Sequence, residues 1–408
     1  MKSKINLLSI AIPSLGYFVD IYDLLLFGIV RVPSLVSIGV PESETMTVGV
    51  RLLNMQLVGM LLGGVLWGVM GDRRGRKSVL FGSILLYSLC NLANAWVSNV
   101  EAYAWLRFFA GFGLAGELGA AITLVSESVP ARWRGYATSI VAGVGVSGAV
   151  FASLISHYFS WQVAYTLGGL MGLGLLVLRA RLAESILFSR MQQDQTTVPP
   201  WFLKRRFFAL FLQCRLLRKY LACIAAGGPV WYVIGILVTF SPEIAQSLGV
   251  SETVSSGTAF FWAYVGATVG DFTTGLVAQY LQSRIKAIYL YLTCSAVSVA
   301  TLFAWPGLTA PGFYLFCLLA GTTTGYWASL ITLAAEQFGT NLRATVATSV
   351  PNFIRGSGVL MTLGLSVLRP HWGLIYACLG VGVVVFALSL LALLQLEETF
   401  AKDLNYYE

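Results

Sequence analysis

The sequence predicts an all-α membrane protein whose twelve transmembrane helices form two pseudo-symmetric six-helix halves. Three observations carry that expectation: a composition poor in charge, apolar runs of bilayer length, and an internal repeat at an offset of 209 residues. Of the 408 residues, 57% are hydrophobic and 11% charged, against about 25% charged in a typical soluble chain. Lipid is the expected solvent.

A hydrocarbon core about 30 Å thick needs roughly 20 apolar residues per crossing. Such runs lie at about 7–30, 48–70, 78–97, 102–126, 137–159, 162–179, 220–241, 256–280, 286–304, 311–337, 344–367 and 373–396. The first, led by Lys2 and Lys4, is too long for a signal-peptide core. The net charge of +8 is a topology signal and not a nucleic-acid footprint. An even span count puts both termini on one face. That face gathers Arg73, Arg74, Arg76, Lys77, Arg132, Arg134, Lys204, Arg205, Arg206, Arg284, Lys286 and Arg343, while the other keeps Arg31, Arg51 and Arg369. The positive-inside rule then makes both termini cytoplasmic, in what we expect to be a bacterial inner membrane.

The repeat aligns Glu127–Arg134 with Glu336–Arg343, and Gly116, Thr123 and Leu124 with Gly325, Thr332 and Leu333. Lys77 falls on Lys286, but Leu281 stands where the first copy has Asp72. The halves are expected at 1–179 and 220–408. The basic segment 180–219 between them contains Pro199-Pro200 and a mixed aromatic and cationic run, Trp201 to Phe208, suited to a helix lying in the cytoplasmic interface.

Between spans two and three runs Gly68-Val69-Met70-Gly71-Asp72-Arg73-Arg74-Gly75-Arg76-Lys77. Gly71 and Gly75 allow a tight turn, and its cations hold it on the cytoplasmic face. This run resembles the G-x-x-x-D-x-x-G-R-K signature of the major facilitator superfamily of transporters. The resemblance implies alternating access around a site near the membrane midplane between the halves. It also implies a conformational gate built from Gly71, Asp72, Arg73, Gly75, Arg76 and Lys77 with Glu127, Arg134, Glu336 and Arg343. Asp72 is expected near the start of span eleven, where a helix N-terminus favours negative charge. Glu184-Ser185 and Glu397-Glu398-Thr399 are similar to the P-E-S and P-E-T elements of sugar porters and related metabolite:proton symporters, the latter without its proline.

An ionised group at midplane costs about 3 kcal/mol on insertion scales, so each one requires a reason. Six qualify: Asp20 and Asp23 on span one, Arg107 and Glu117 on span four, Asp271 on span eight and Arg355 on span eleven. Four acids face two bases, which leaves acids as proton carriers. Asp20 and Asp23 share a helical face; Asp23 and Arg107 lie at similar depth, and Glu117 lies near Asp20. Together they form either a proton-coupling site or a set of permanent ion pairs. Asp271 and Arg355 form either one ion pair or, for Arg355, a bidentate grip on an anionic substrate. Asn352 lies one turn from Arg355.

Span seven contains Gly227-Gly228-Pro229, which predicts a break or kink, followed by Trp231 and Tyr232. Span ten adds Tyr326 and Trp327. With Tyr17 and Gln56 of the first half, these are the candidate substrate contacts. Cys90, Cys214, Cys223, Cys294, Cys317 and Cys378 have neither metal-ligand nor disulfide spacing. No nucleophile triad or phosphate loop is present, so no enzyme, cofactor or metal is expected. The reading is a monomeric, proton-coupled importer of a small polar metabolite that takes a small molecule and protons as partners in a lipid bilayer. An organic anion is one candidate substrate. An exporter of the same fold and a transporter-like sensor without flux are the alternatives.

Overall fold

The computed structural model describes residues 8–74, 76–116, 131–183 and 213–400. In the first half, α1 spans Leu8–Ser37, α2 Thr45–Arg74, α3 Arg76–Asn94, α4 Val100–Leu114, α5 Ala131–Tyr158 and α6 Trp161–Ala183. In the second, α7 (Cys214–Tyr232) runs into a π-helical stretch, Val233–Val238, and a short α8, Ser241–Ser247. There follow α9 Ser256–Leu281, α10 Arg284–Ala304, α11 Ala310–Thr324, α12 Trp327–Glu336, α13 Thr340–Gly356 and α14 Gly358–Leu393. At the offset of 209, α3 falls on α10, α4 on α11, and α5 on α13 with the start of α14.

Helices α11 and α12 together form span ten. The break inside α14 at Gly373 (φ 74°, ψ 171°) separates spans eleven and twelve; a side chain there would clash in this left-handed backbone. Six segments of the described chain are long and apolar enough to cross a bilayer on length and hydropathy alone. Others carry buried charge, as α1 does with Asp20 and Asp23.

Within the first half α1 packs on α5, α2 on α4, and α3 on α6; within the second α9 packs on α11 and α7 on α14. The α2–α4 contact brings backbones together: a Cβ on Gly59 or Gly63 would meet the carbonyls of Phe108 or Phe112. Small residues supply this close approach where lipid gives no hydrophobic drive between helices. The halves meet along α5–α9 and α2–α13.

Of the break or kink expected at Gly227-Gly228-Pro229, the break is absent: α7 carries Pro229 inside it and continues α-helical to Tyr232. The irregularity falls a turn later, in Val233–Val238, where Thr239 N–H and its hydroxyl both reach back to Ile234 O at 3.2 and 2.8 Å. The interfacial helix expected at 201–208, the start of the second half, and Glu117 and Glu127 bear on or lie outside the described residues: α6 ends at Ala183 and description resumes at 213.

Candidate functional site

A cavity of about 50 Å³ lies between the halves, lined by Tyr17, Ile21 and Leu24 of α1, Val146 of α5, Trp231 and Ile234 of span seven, Tyr264 and Asp271 of α9, Trp327 of α12 and Arg355 of α13. It has room for a water molecule or two. The halves are therefore contracted around the site. The Arg355 guanidinium lies 5.8 Å from the Trp327 ring centroid, a cation–π arrangement. Tyr17 is seated because α5 has glycine at 145; a Cβ there would overlap its ring.

The charges of the cavity pair differently from their depth in the sequence. The Asp271–Arg355 ion pair, one of the two arrangements expected, is not formed: no ion pair joins the two side chains among the described residues. The buried carboxylate of Asp20, in the opposite half, lies within electrostatic reach of Arg355. Asp271 Oδ1 instead accepts a hydrogen bond from Ala328 N–H at 3.2 Å. That amide belongs to the first turn of α12. Span ten is broken between Gly325 and Trp327 because Gly325 sits directly on the backbone of Gly270 and Asp271, where a Cβ would approach to 2.5 Å. Thr274 Oγ1, one turn along from Asp271, donates to Gly325 O at 3.0 Å. Two residues of α9 thus satisfy orphan groups on both sides of the break.

The first-half cluster is separate from the cavity lining. Arg107, fully buried, donates to Asn91 Oδ1 at 2.7 Å and stands 4.9 Å from the Tyr165 ring centroid. Tyr165 shares a 2.7 Å hydrogen bond with Tyr103, whose hydroxyl also meets Ser34 at 3.2 Å. Asp23 acts on the same Tyr165 and lies against Gly168 of α6. Asp20, one turn away, acts on Tyr17 and Arg355 instead. The two aspartates that share a helical face therefore serve different surroundings.

The remaining candidates divide. Trp231 and Trp327 line the cavity. Gln56 donates to Leu24 O at 3.1 Å, tying α2 to α1. Tyr232 donates to Cys378 O at 2.8 Å and Tyr326 to Ala226 O at 3.2 Å; both are packed inside the second half. Asn352 donates to Ala115 O at 3.1 Å, bridging the halves. Tyr264 and Val146 were missed. Tyr264 lies two turns before Asp271 on the same helix face, a spacing the sequence displays. Val146 is the repeat counterpart of Arg355 and carries no chemical label.

At the end of the bundle near the α2–α3 turn, Glu336 accepts a hydrogen bond from Arg284 Nη2 at 2.9 Å, has Arg284 Nε within ion-pair distance at 2.8 Å, and accepts from Thr399 Oγ1 at 2.6 Å. Glu398 caps α10, accepting from Arg284 N at 3.0 Å, Ile285 N at 3.2 Å and the Ser283 hydroxyl. Burial raises the Glu398 pKa, but hydrogen bonds from Ser283 and from the Phe400, Arg284 and Ile285 amides outweigh it and hold the carboxyl below its ordinary value. Lys219 meets Glu397 at 3.0 Å. The side chains of Asp72, Arg73, Arg76, Lys77, Arg134 and Arg343, and the residues Gly75 and Glu127, lie outside what the structure describes; the backbone of Gly71–Arg73 forms the last turn of α2.

At the opposite end a larger cavity, about 850 Å³, opens between the ends of α5 and α9; among the described residues His157 is its one titratable side chain apart from Tyr158. The smaller cavity, which carries Asp271 and Arg355, lies at the seam of two repeated helical halves. Residues 13–363 match the family model described as Major Facilitator Superfamily, and the chain belongs to that family. It is similar to the niacin transporter NiaP of Acinetobacter baylyi, 27% identical over 395 residues covering 87% of this chain and 86% of that one. The 3-(3-hydroxy-phenyl)propionate transporter of Escherichia coli K12 is 28% identical over 302 residues, 72% and 71% of the two chains. The crystal structure of a D-xylose-proton symporter superposes with a TM-score of 0.68 at 16% identity, over 96% of this chain and 98% of that one.

Proposed function

We propose that this protein imports a small aromatic carboxylate together with protons, across a bacterial inner membrane with both termini in the cytoplasm. The carrying observation is Arg355, 4% exposed, in a cavity walled by Trp327, Trp231, Tyr17 and Tyr264. A guanidinium grips a carboxylate through two parallel hydrogen bonds, and the surrounding rings suit an aromatic body. The similar transporters are named for niacin and for a hydroxyphenyl propionate, both aromatic-ring carboxylic acids.

Asp20 supplies the link to protons. It is a buried carboxylate across the seam from Arg355 and within its electrostatic reach, so in this reading a substrate carboxylate and the Asp20 carboxylate compete for the field of one guanidinium. A proton taken up by Asp20 frees Arg355 for the substrate and neutralises a buried charge, and release of that proton inside expels the anion. Differential affinity for the two conformations is what any such coupling requires.

The test is uptake of labelled 4-hydroxybenzoate into proteoliposomes with an acid-outside gradient. Accumulation should exceed equilibration, collapse with a protonophore, and be lost in Arg355→Lys, whose point charge cannot reproduce the bidentate grip. Accumulation unaffected by the protonophore would remove the coupling; net outward pumping under the same gradient would favour the exporter alternative.

A further inference from the structure

We infer that Asp271 determines substrate specificity by accepting a hydrogen bond from a donor group on the substrate, at the side of the cavity away from Arg355. This rests on the carboxylate reading above. The favoured ligand is then bifunctional: a carboxylate at one end and a hydroxyl or ring N–H at the other.

Three observations place Asp271 in this role. First, Asp271 lines the same cavity as Arg355 and Tyr17, yet among the described residues no ion pair joins Asp271 to Arg355. The two charges therefore offer separate contacts to a ligand. Second, only one oxygen of Asp271 is engaged: Oδ1 accepts from Ala328 N–H at 3.2 Å, the one hydrogen bond to this carboxylate among the described residues. Third, Asp271 is only partly buried, unlike the fully buried Asp23, and it is part of the cavity wall, so the remaining oxygen is assigned to a ligand in that cavity. The broken span ten fixes this geometry. Gly325 packs on the Gly270–Asp271 backbone, and the bond from Ala328 N–H ties the carboxylate itself to the start of α12.

A cap role alone would require one oxygen and no access to the cavity. An acceptor buried in a low-dielectric site discriminates strongly, because a ligand lacking the donor leaves it unsatisfied after water is expelled. The present volume of about 50 Å³ does not admit an aromatic ring, so recognition is completed as the halves part.

The experiment measures ligand-induced thermal stabilisation of the purified full-length protein with two matched pairs: 4-hydroxybenzoate with benzoate, and 3-(3-hydroxyphenyl)propionate with 3-phenylpropionate. In the wild type the hydroxylated member of at least one pair should bind roughly tenfold more tightly, the discrimination expected of a hydrogen bond to a charged group. Asp271→Ala should erase that difference. Asp271→Asn keeps an oxygen for Ala328 N–H and turns an amide donor toward the cavity, so it should reverse preference toward the acceptor-bearing 4-methoxybenzoate over 4-hydroxybenzoate. A purely structural cap would not produce that reversal, and the Asn variant serves if the Ala variant fails to fold. Equal affinity for both members of each pair in the wild type, or equal loss for both with no reversal in Asp271→Asn, would overturn the assignment and leave the carboxylate reading standing. Binding of none of these acids would overturn both.

Discussion

Arg31, at the end of α1, and Glu243, in α8, form a two-pronged ion pair across the seam of the molecule: Nη1–Oε1 and Nη2–Oε2 are both 2.7 Å. The guanidinium is fully buried, also donates to Thr45 O and Thr239 O at 3.2 and 3.3 Å, and lies 4.7 Å from the Phe240 ring centroid. It fastens the two halves at the end opposite the α2–α3 turn. Removing one partner of a buried pair costs about 3–5 kcal/mol because the other charge is stranded. Glu243→Gln should therefore shift the conformational balance toward opening at this end. In a background lacking the native cysteines, Ser256→Cys should react with a membrane-impermeant thiol reagent at least about tenfold faster when Glu243→Gln is added. Unchanged labelling would mean that the pair does not hold this end closed.

Arg107 gives a contrasting prediction. Its partners Asn91 and Tyr165 lie within the first half, so its removal should act first on folding. Arg107→Ala should lower stability by about 1–3 kcal/mol, because it leaves the buried Asn91 without its partner, seen as a fall in melting temperature in detergent. Arg107→Lys should recover only part of it, since an ammonium cannot span both contacts. Full thermal stability of Arg107→Ala would show that the residue is not structural and return it to the coupling site.

The spans, the repeat and the buried charges were legible because bilayer length and desolvation act on composition. Pairing was not. Asp271 and Arg355 lie at similar depth, but depth says nothing about azimuth, and Asp271 turns its carboxylate to Ala328 N–H instead. Arg31 reads as a topology charge near a span end; its burial depends on the counterpart helix 209 residues on, which local pattern cannot show. The break in span ten was visible only as a run of threonines and glycines, since its cause is the backbone of α9 pressing on Gly325.

Glu398 predicts a pH response. Its folded pKa is depressed, so the stability it contributes is fully present above the unfolded value of about 4.3 and is lost as pH falls through the folded value. Glu398→Gln should cost stability at pH 7 and show less acid-induced loss between pH 5 and 3 than wild type. Melting curves across that range provide the measurement; parallel curves for the two proteins would show that the cap contributes nothing through its charge.

Gly145 tests the seat of Tyr17. A Cβ at this position would overlap the Tyr17 ring, and overpacking of this kind costs about 1–3 kcal/mol. Gly145→Ala should displace the ring toward the cavity and weaken ligand-induced stabilisation by 4-hydroxybenzoate. Gly145→Ala combined with Tyr17→Leu should relieve the steric cost to stability without restoring binding. Recovery of binding in the double variant would show that Tyr17 makes no contact with substrate.

Asp20 and Asp23 should separate in function although three residues apart on one helix. Asp20 acts on Arg355 and Tyr17 across the seam, where a change of protonation alters what holds the halves together. Asp23 is fully buried against Tyr22, Gly168 and the Tyr165 that stacks on Arg107, within a single half. The neutral amide of asparagine imitates a protonated carboxyl. Asp20→Asn should abolish accumulation driven by a pH gradient, keep gradient-free exchange of 4-hydroxybenzoate, and melt close to wild type. Asp23→Asn should lower the melting temperature, because it changes a packed, fully buried site within one half, and reduce exchange and accumulation together. The measurement is paired exchange and gradient-driven uptake in proteoliposomes, normalised to folded protein. If Asp20→Asn accumulates substrate normally and Asp23→Asn alone loses gradient coupling while retaining exchange, the proton is carried inside the first half and Arg355 has no part in its release.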